Sequence, residues 1–433
     1  MSSLPKVLIV SRGVWDDSKG TSSTLSNLFS DYPADQLAMI YTETKMPNTS
    51  KCSRFFQISE YALVKKLYRW RTETGHEVSP LTRDGANDSS VALKEEKTLG
   101  FVRRHRSIVF TFLRDVLWGL GMWKSKSLRQ FIKQYNPDVL WFDGSTNIFL
   151  NNLYHYVYSI AKKPAAIFLM DDNYTYKSVI KGHYIYRFFM RKSARRVIQE
   201  CSKVYVISPK MKQEFDKIFD IDSVILTKGI DYSGLHYTPL SVNDPLRLLY
   251  MGQVIYGRIE TLISVVRNLD IINRDRIKIK LSIYTNNYIK PATLSFLSNS
   301  KSVEMKEVVP YEQVPEIINA NDVLLFVESL NPKYSKDIRL SFSTKITDYL
   351  TSGKCIFAVG PKDSAPMNYF QSEECAIVAY DDEEIIKGIE RLLEPGIAQL
   401  YSKRAFEVGR KNHNKELMNE RLFSGLREIM IKN

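Results

Sequence analysis

The chain has 433 residues, enough for two domains with a core each, and its 44% hydrophobic and 25% charged residues are those of an ordinary soluble globular protein. That balance, with no fixed short repeat, excludes a collagen-like, solenoid or broadly disordered chain. A formal net charge of +13 leaves nucleic acid, anionic lipid and diphosphate substrates as acidic partners without choosing among them.

The chain opens on the apolar segment Val7 to Val10, too short and wrongly flanked for a signal-peptide core. Near-continuous apolar runs then predict strands at Lys6 to Ser11, Leu37 to Tyr41, Asp138 to Phe142, Ala165 to Met170, Val204 to Ile207 and Val224 to Thr227. Helical periodicity falls between them at Asn147 to Ala161, Tyr184 to Glu200 and Lys210 to Phe219. Alternating strands and helices imply a doubly wound α/β domain with a parallel sheet. Arg71 to Lys97 breaks the rhythm; it is polar, with Gly75, Pro80, Gly85 and many Ser, Thr, Asp and Glu residues, and reads as a mobile surface loop.

A second strand series follows at Leu246 to Met251, Ile277 to Tyr284, Val303 to Val308, Val323 to Val327, Ile356 to Val359 and Ala376 to Ala379. The stretch Lys228 to Pro245, punctuated by Gly, Pro and Asp, separates the two series. The expected domains are therefore 1–235 and 236–410, with a last helix in 411–433 that could pack back on the first domain. Gly353 falls where a helix must stop before a strand, which suits an αL cap.

Phe101 to Ser107 is basic and leads into the aromatic run Ile108 to Trp123. Arg114 and Asp115 interrupt that run, so it cannot span a bilayer. Two readings stay open: an interfacial segment with Trp118 and Trp123 in the headgroup region over anionic lipid, or core of the first domain. Arg187, Arg191 and Arg195 recur every four residues along a helix, as either a guide for an anionic acceptor or membrane, or a solvated face. Cys52, Cys201, Cys355 and Cys375 form no C-x-x-C pair and no zinc spacing, so no structural metal is expected and a reducing cytoplasm fits. The six His residues assemble into no nucleophilic catalytic set, and no RNA- or DNA-binding motif accompanies the positive charge.

Five segments carry a resemblance. Val204-Tyr-Val-Ile-Ser-Pro-Lys-Met211 and Leu226-Thr-Lys-Gly-Ile-Asp231 come first, with Lys228 where Asn is usual. Tyr250-Met-Gly-Gln-Val-Ile-Tyr-Gly-Arg258 follows, then Val309-Pro-Tyr-Glu-Gln-Val-Pro-Glu316 with Ala320-Asn-Asp-Val-Leu-Leu325, and Ser343-Thr-Lys-Ile-Thr-Asp-Tyr-Leu-Thr-Ser-Gly-Lys354. In this order they resemble glycosyltransferases of the GT-B fold, especially the retaining family 4 group and its relatives. The resemblance implies two Rossmann-like domains facing across a cleft, and transfer of a sugar, with retention, from a nucleoside diphosphate sugar to an acceptor hydroxyl. It implies a co-substrate and no further cofactor. A glycan or lipid-linked acceptor would suit cell-surface polysaccharide or glycolipid assembly, in the cytoplasm or on the inner face of the membrane.

Charge that builds on a leaving diphosphate can be met by Arg, Lys and a helix N-terminus, so a metal is not required. The resemblance puts Arg258 and Lys345 against that diphosphate. It gives Ser343 or Thr344 a capping or phosphate-contacting role and Asp348 the ribose hydroxyls, which a carboxylate can take in pairs. Gly252 either simply ends its strand or lets the donor approach, and Gln253 follows it where the family often has Arg. The earlier acid of the family's E-x7-E pattern falls on Leu340, so Glu328 or Asp337 would have to substitute, or the protein is catalytically reduced. In the first domain Lys19-Gly-Thr-Ser22 resembles the family's glycine-bearing loop facing the cleft, which implies donor binding, with Gly20 allowing close approach and Thr21 and Ser22 either meeting a phosphate or simply capping the helix. Asp171 and Asp172 end a strand on the acceptor side, with Asp172 alternatively the next helix's cap.

Overall fold

The computed structural model describes residues 4–17, 20–79, 108–172, 174–175, 184–336 and 338–432. The chain separates into two compact units, one of Met1–Ile207, Lys212–Leu226 and Met418–Asn433, the other of Ser208–Met211 and Thr227–Leu417.

The first unit holds strands β1 (Val7–Val10), β2 (Leu37–Tyr41), β3 (Arg54–Ile58), β4 (Gly75–Val78), β5 (Val139–Asp143), β6 (Ala165–Leu169), β7 (Lys203–Val206) and β8 (Val224–Ile225). They form one sheet in the order β4-β3-β2-β1-β5-β6-β7-β8. All pairs are parallel except β3 with β4. Its helices are α1 (Gly20–Leu28), α2 (Glu60–Lys66), α3 (Ile108–Gly119), α4 (Lys126–Tyr135), α5 (Ile148–Ala161), α6 (Tyr184–Glu200) and most of α7 (Pro209–Phe219).

Continuous apolar strands are buried on both faces: every residue of β1 is fully covered, and burying such side chains contributes about 1.5–3 kcal/mol each. Trp141 on β5 meets Phe29 edge-on at 5.3 Å, and Phe142 stacks on Tyr154 of α5 at 4.7 Å. Ser59 and Ser125 cap α2 and α4, their hydroxyls accepting from Ala62 and Leu128 N–H groups at 3.1 Å.

At three places the structure answers the sequence, and for Trp118 and Trp123 it takes the second of the two readings left open, core of the first domain. Gly75–Val78, inside the segment read as loop, is an antiparallel edge strand; residues 80–97 and 101–107 lie outside the described residues. Trp118 and Trp123 are core, each 2% exposed, with the Trp123 indole N–H donating to the Trp118 carbonyl. The exposed apolar face here is instead Phe112, Leu113, Val116 and Leu120. Arg187, Arg191 and Arg195 are spent internally: Arg187 and Arg191 donate to the carbonyls of Thr175 and Tyr174, and Arg195 donates to the Tyr174 hydroxyl and the Ile218 carbonyl.

The second unit holds β9 (Leu246–Met251), β10 (Ile279–Tyr284), β11 (Val303–Lys306), β12 (Val323–Val327), β13 (Cys355–Val359) and β14 (Ile377–Ala379), all parallel, in the order β11-β10-β9-β12-β13-β14. Its helices are α8 (Arg258–Ile272), α9 (Pro291–Asn299), α10 (Val314–Asn319), α11 (Pro332–Ser335), α12 (Lys345–Thr351), α13 (Ala365–Ser372), α14 (Asp382–Leu392) and α15 (Ile397–Asn412). Leu248, Leu281, Val323, Leu325 and Phe357 are fully buried between these layers. Gly353, at φ +67°, ends α12 just before β13.

The last helix, α16 (Lys415–Ile431), begins in the second unit, and from Met418 onward it belongs to the first. Leu422 and Leu426 are buried there, Phe423 meets Tyr32 at 5.4 Å, and the Lys203 ammonium pairs with Glu428 at 2.9 Å. Among the described residues no helix is long and apolar enough to cross a membrane.

Candidate functional site

In each sheet two neighbouring central strands, β1 with β5 and β9 with β12, are followed by connections that depart in opposite directions. Such switch points leave a crevice at the carboxyl ends of the strands, where α/β sheets place ligands.

In the second unit β9 ends at Met251, and residues 252–257 turn into α8. Three bonds fix this loop: the Gly252 N–H donates to the Tyr284 carbonyl at 2.9 Å, the Val254 N–H to Asn287 Oδ1 at 2.8 Å, and the Tyr250 hydroxyl to the Gln253 carbonyl at 2.6 Å. Gly257 precedes α8 at φ +77°, a left-handed conformation that disfavours a side chain. A Cβ there would also meet Ser329 and Tyr334. Arg258 is thereby the first residue of α8.

Its guanidinium grips Glu328, just past the end of β12, through two hydrogen bonds of 3.0 Å. Glu328 is 5% exposed; burial pushes its carboxyl up, while Arg258 and then Lys345 pull it down. Lys345, the first residue of α12, donates from its ammonium to the Met251 carbonyl at 3.0 Å. A Cβ at Gly252 would occupy the place of that ammonium, so the glycine admits the lysine. Desolvation of the ammonium lowers the Lys345 pKa, with the Arg258 charge adding to it and Glu328 and Asp348 opposing. Solvent still reaches the side chain as a whole. Arg258 is paired with Glu328, whereas the Lys345 ammonium is bonded to a neutral carbonyl, which leaves a positive charge that an anion would relieve.

Asp348 lies on the same helix as Lys345. Its Oδ1 accepts from the Lys228 ammonium at 2.5 Å, a contact the sequence reading did not find. Lys345, Asp348 and Tyr349 also line an open cavity of about 890 Å³ whose wall is mostly apolar, with Leu249, Met251, Val314 and Ile318. The Ser343 hydroxyl accepts from the Lys345 N–H at 3.4 Å, whereas Thr344 makes no capping hydrogen bond. Gln253 is exposed. Leu340 is fully buried, so that position offers nothing to a ligand. Of the two substitutes for its acid, Glu328 joins the cluster, and Asp337 lies outside the described residues.

In the first unit a cavity of about 640 Å³ opens at the β1/β5 switch point, lined by Ser11, Gly13, Glu43, Asp143, Ser145 and Asp171 among others. Asp143, the last residue of β5, was not singled out from sequence. Burial pushes its carboxyl up to about 6, against hydrogen bonds from the Ser11 hydroxyl and the Trp141 indole. Asp171 reaches this cavity, but Asp172 does not line it. Asp172 is 7% exposed and accepts from the Tyr174 and Thr175 N–H groups at 3.1 and 2.6 Å, as a cap does. Gly20 begins α1; its surroundings and the Thr21 side chain lie outside the described residues. No cluster of metal-ligating side chains occurs among the described residues.

No family model matches the chain, and no curated protein does. Solved structures do. TarM is 12% identical with a TM-score of 0.51, over 72% of this chain and 58% of its own, so the chain spans little more than half of TarM. HepE from Anabaena, in complex with UDP-glucose, is 11% identical at a TM-score of 0.57, over 98% of this chain and 100% of its own. Sucrose-phosphate synthase from Thermosynechococcus elongatus is 11% identical at 0.60, over 99% of both chains. At such identities the likeness concerns the fold. With two Rossmann-like parallel-sheet units in one chain, the protein has the GT-B fold of these glycosyltransferases.

Proposed function

We propose that the protein is a glycosyltransferase that takes a sugar from a nucleoside diphosphate sugar and passes it to an acceptor hydroxyl. The observation that carries this reading is the pair of cations at the switch point of the second unit, Arg258 gripped by the buried Glu328 and Lys345 bonded to the Met251 carbonyl. Arg258 is held by Glu328 and Lys345 by the Met251 carbonyl, so both are positioned by protein acceptors. Preorganised positive charge of this kind stabilises a leaving diphosphate without a metal. Gly252, Gln253, Ser343 and Thr344 border the same place, and Asp348 supplies a carboxylate for ribose hydroxyls. The GT-B fold, shared with a protein crystallised with UDP-glucose, supports a nucleotide sugar as the co-substrate.

The acceptor side is assigned to the first unit's cavity, with Asp143 and Asp171 as hydrogen-bonding partners for a polyhydroxylated acceptor. Retention of configuration and a role in surface glycan or glycolipid assembly follow from the resemblance of the motifs. Exposed Phe112, Leu113, Tyr184, Ile185, Phe188 and Phe189 on α3 and α6, with the net positive charge of the chain, favour an anionic membrane surface as a partner.

Leu340, buried where the family pattern has an acid, favours a second reading, in which the fold binds a nucleotide sugar without turning it over. Release of free nucleoside diphosphate separates the two. With a mixture of nucleotide sugars and acceptor glycans, transfer predicts steady release that Lys345→Ala lowers by at least about a hundredfold, as for loss of an oxyanion-type contact. Donor binding with no release above buffer would establish the second reading.

A further inference from the structure

The Lys228–Asp348 pair changes what the site can recognise. Resting on the donor-site reading above, we infer that Lys228 weakens discrimination between ribose and 2′-deoxyribose, because it already occupies one carboxylate oxygen of Asp348.

The pair is partly buried, with the two side chains 22% and 37% exposed. Lys228 comes from a fixed backbone. Beside it the Thr227 hydroxyl is bonded to His413 Nδ1 at 2.8 Å, and His413 Nε2 meets the Tyr369 hydroxyl at 2.9 Å. On its other side the Ile230 N–H donates to the His413 carbonyl at 2.8 Å, and the Lys415 N–H donates to the Ile230 carbonyl at 2.9 Å. Gly229 lies so close to Lys415 that a Cβ would stand 2.7 Å from the Lys415 Cα. Asp348 is equally constrained, since Thr347 and Tyr349 on either side of it are buried.

A carboxylate that grips a vicinal diol uses both oxygens, and a ligand lacking one hydroxyl leaves an oxygen unpaired. That unpaired group is the source of strong rejection of deoxy analogues. Here the Lys228 ammonium satisfies Oδ1 whether or not a hydroxyl arrives, so loss of the 2′-hydroxyl strands nothing. Where the resembling family has Asn, this chain has a cation long enough to reach Asp348. Lys228 is therefore a specificity-determining residue, and nucleoside diphosphates of either sugar are accepted by the same site.

The test is calorimetric titration of the full chain with three matched pairs: UDP and 2′-deoxy-UDP, GDP and 2′-deoxy-GDP, ADP and 2′-deoxy-ADP. For the base that binds, wild type is expected to hold both members within about threefold. Lys228→Met frees Oδ1 and is expected to favour the ribonucleotide by about tenfold or more, consistent with a stranded acceptor. Lys228→Arg keeps a cation and is expected to keep the flat response, so it decides the matter together with wild type if the Met variant does not fold. A tenfold ribose preference in wild type, or a Lys228→Met ratio equal to wild type, overturns the inference while leaving the donor site in place. Absence of binding by all six nucleotides removes the donor-site reading and this inference with it.

Discussion

Asp143 shows how one residue's placement becomes a measurable property. Its carboxyl titrates at about 6 in the folded chain against an ordinary 3.8, because burial outweighs the hydrogen bonds from Ser11 and Trp141. The native state therefore holds this proton more tightly than the unfolded state. The associated stability is fully present below about pH 4 and is lost as pH rises through about 6, amounting to at most about 3 kcal/mol. Asp143→Asn, neutral throughout, is expected to lack that fall and to gain on wild type in chemical denaturation at pH 7.5 but not at pH 4. Equal pH profiles for the two proteins would contradict the assignment. Legibility at this scale was uneven. Arg258 and Lys345 stand in motifs that read directly from the chain. Asp143 is merely the last residue of an apolar run, and its importance depends on β5 lying beside β1, which local sequence does not encode. The reach of Lys228 to Asp348 spans 120 positions and is equally silent. Trp118 and Trp123 show the same limit: period and polarity mark an aromatic helix but leave open which face packs on Phe149 and Tyr156.

At the scale of elements, the loop between β9 and α8 ties backbone conformation to charge placement. Gly257 stands in the left-handed region directly before Arg258, and the space for its missing Cβ is filled by Ser329 and Tyr334. Gly257→Ala is expected to destabilise the protein by about 1–2 kcal/mol from backbone strain alone, with the steric contact adding to it. It is also expected to weaken nucleotide binding more than a stability-matched core variant such as Leu281→Val, since Arg258 must turn with the helix start. Unchanged melting and binding in Gly257→Ala would refute this coupling. Buried strands such as β1 and β12 were legible because central parallel strands are apolar on both faces. β4 was not: Gly75 and Val78 are buried and His76 and Glu77 exposed, a polar edge strand inside a polar stretch. β3 also escaped notice, since Arg54 and Gln57 interrupt Phe55, Phe56 and Ile58.

For the whole molecule, the repeated strand-helix rhythm announced two α/β units, and a last helical pattern with no strand after it allowed for the return that α16 makes from Met418 onward, through contacts such as Phe423 with Tyr32. Of the charges behind the net +13, the cations proposed to matter number two, set at a switch point, with desolvation first and the Arg258 charge second in lowering the Lys345 pKa. The most direct test is thermal stabilisation by UDP-, GDP-, ADP-, dTDP- and CMP-sugars, without metal and then with it. A ligand at a hundred times its Kd stabilises the native state by about 2.7 kcal/mol. The account predicts that one nucleotide class raises the Tm of wild type without metal, and that Arg258→Ala and Lys345→Ala, folded at the assay temperature, abolish the rise. An equal rise in both variants, or a rise that appears only with metal, would contradict it.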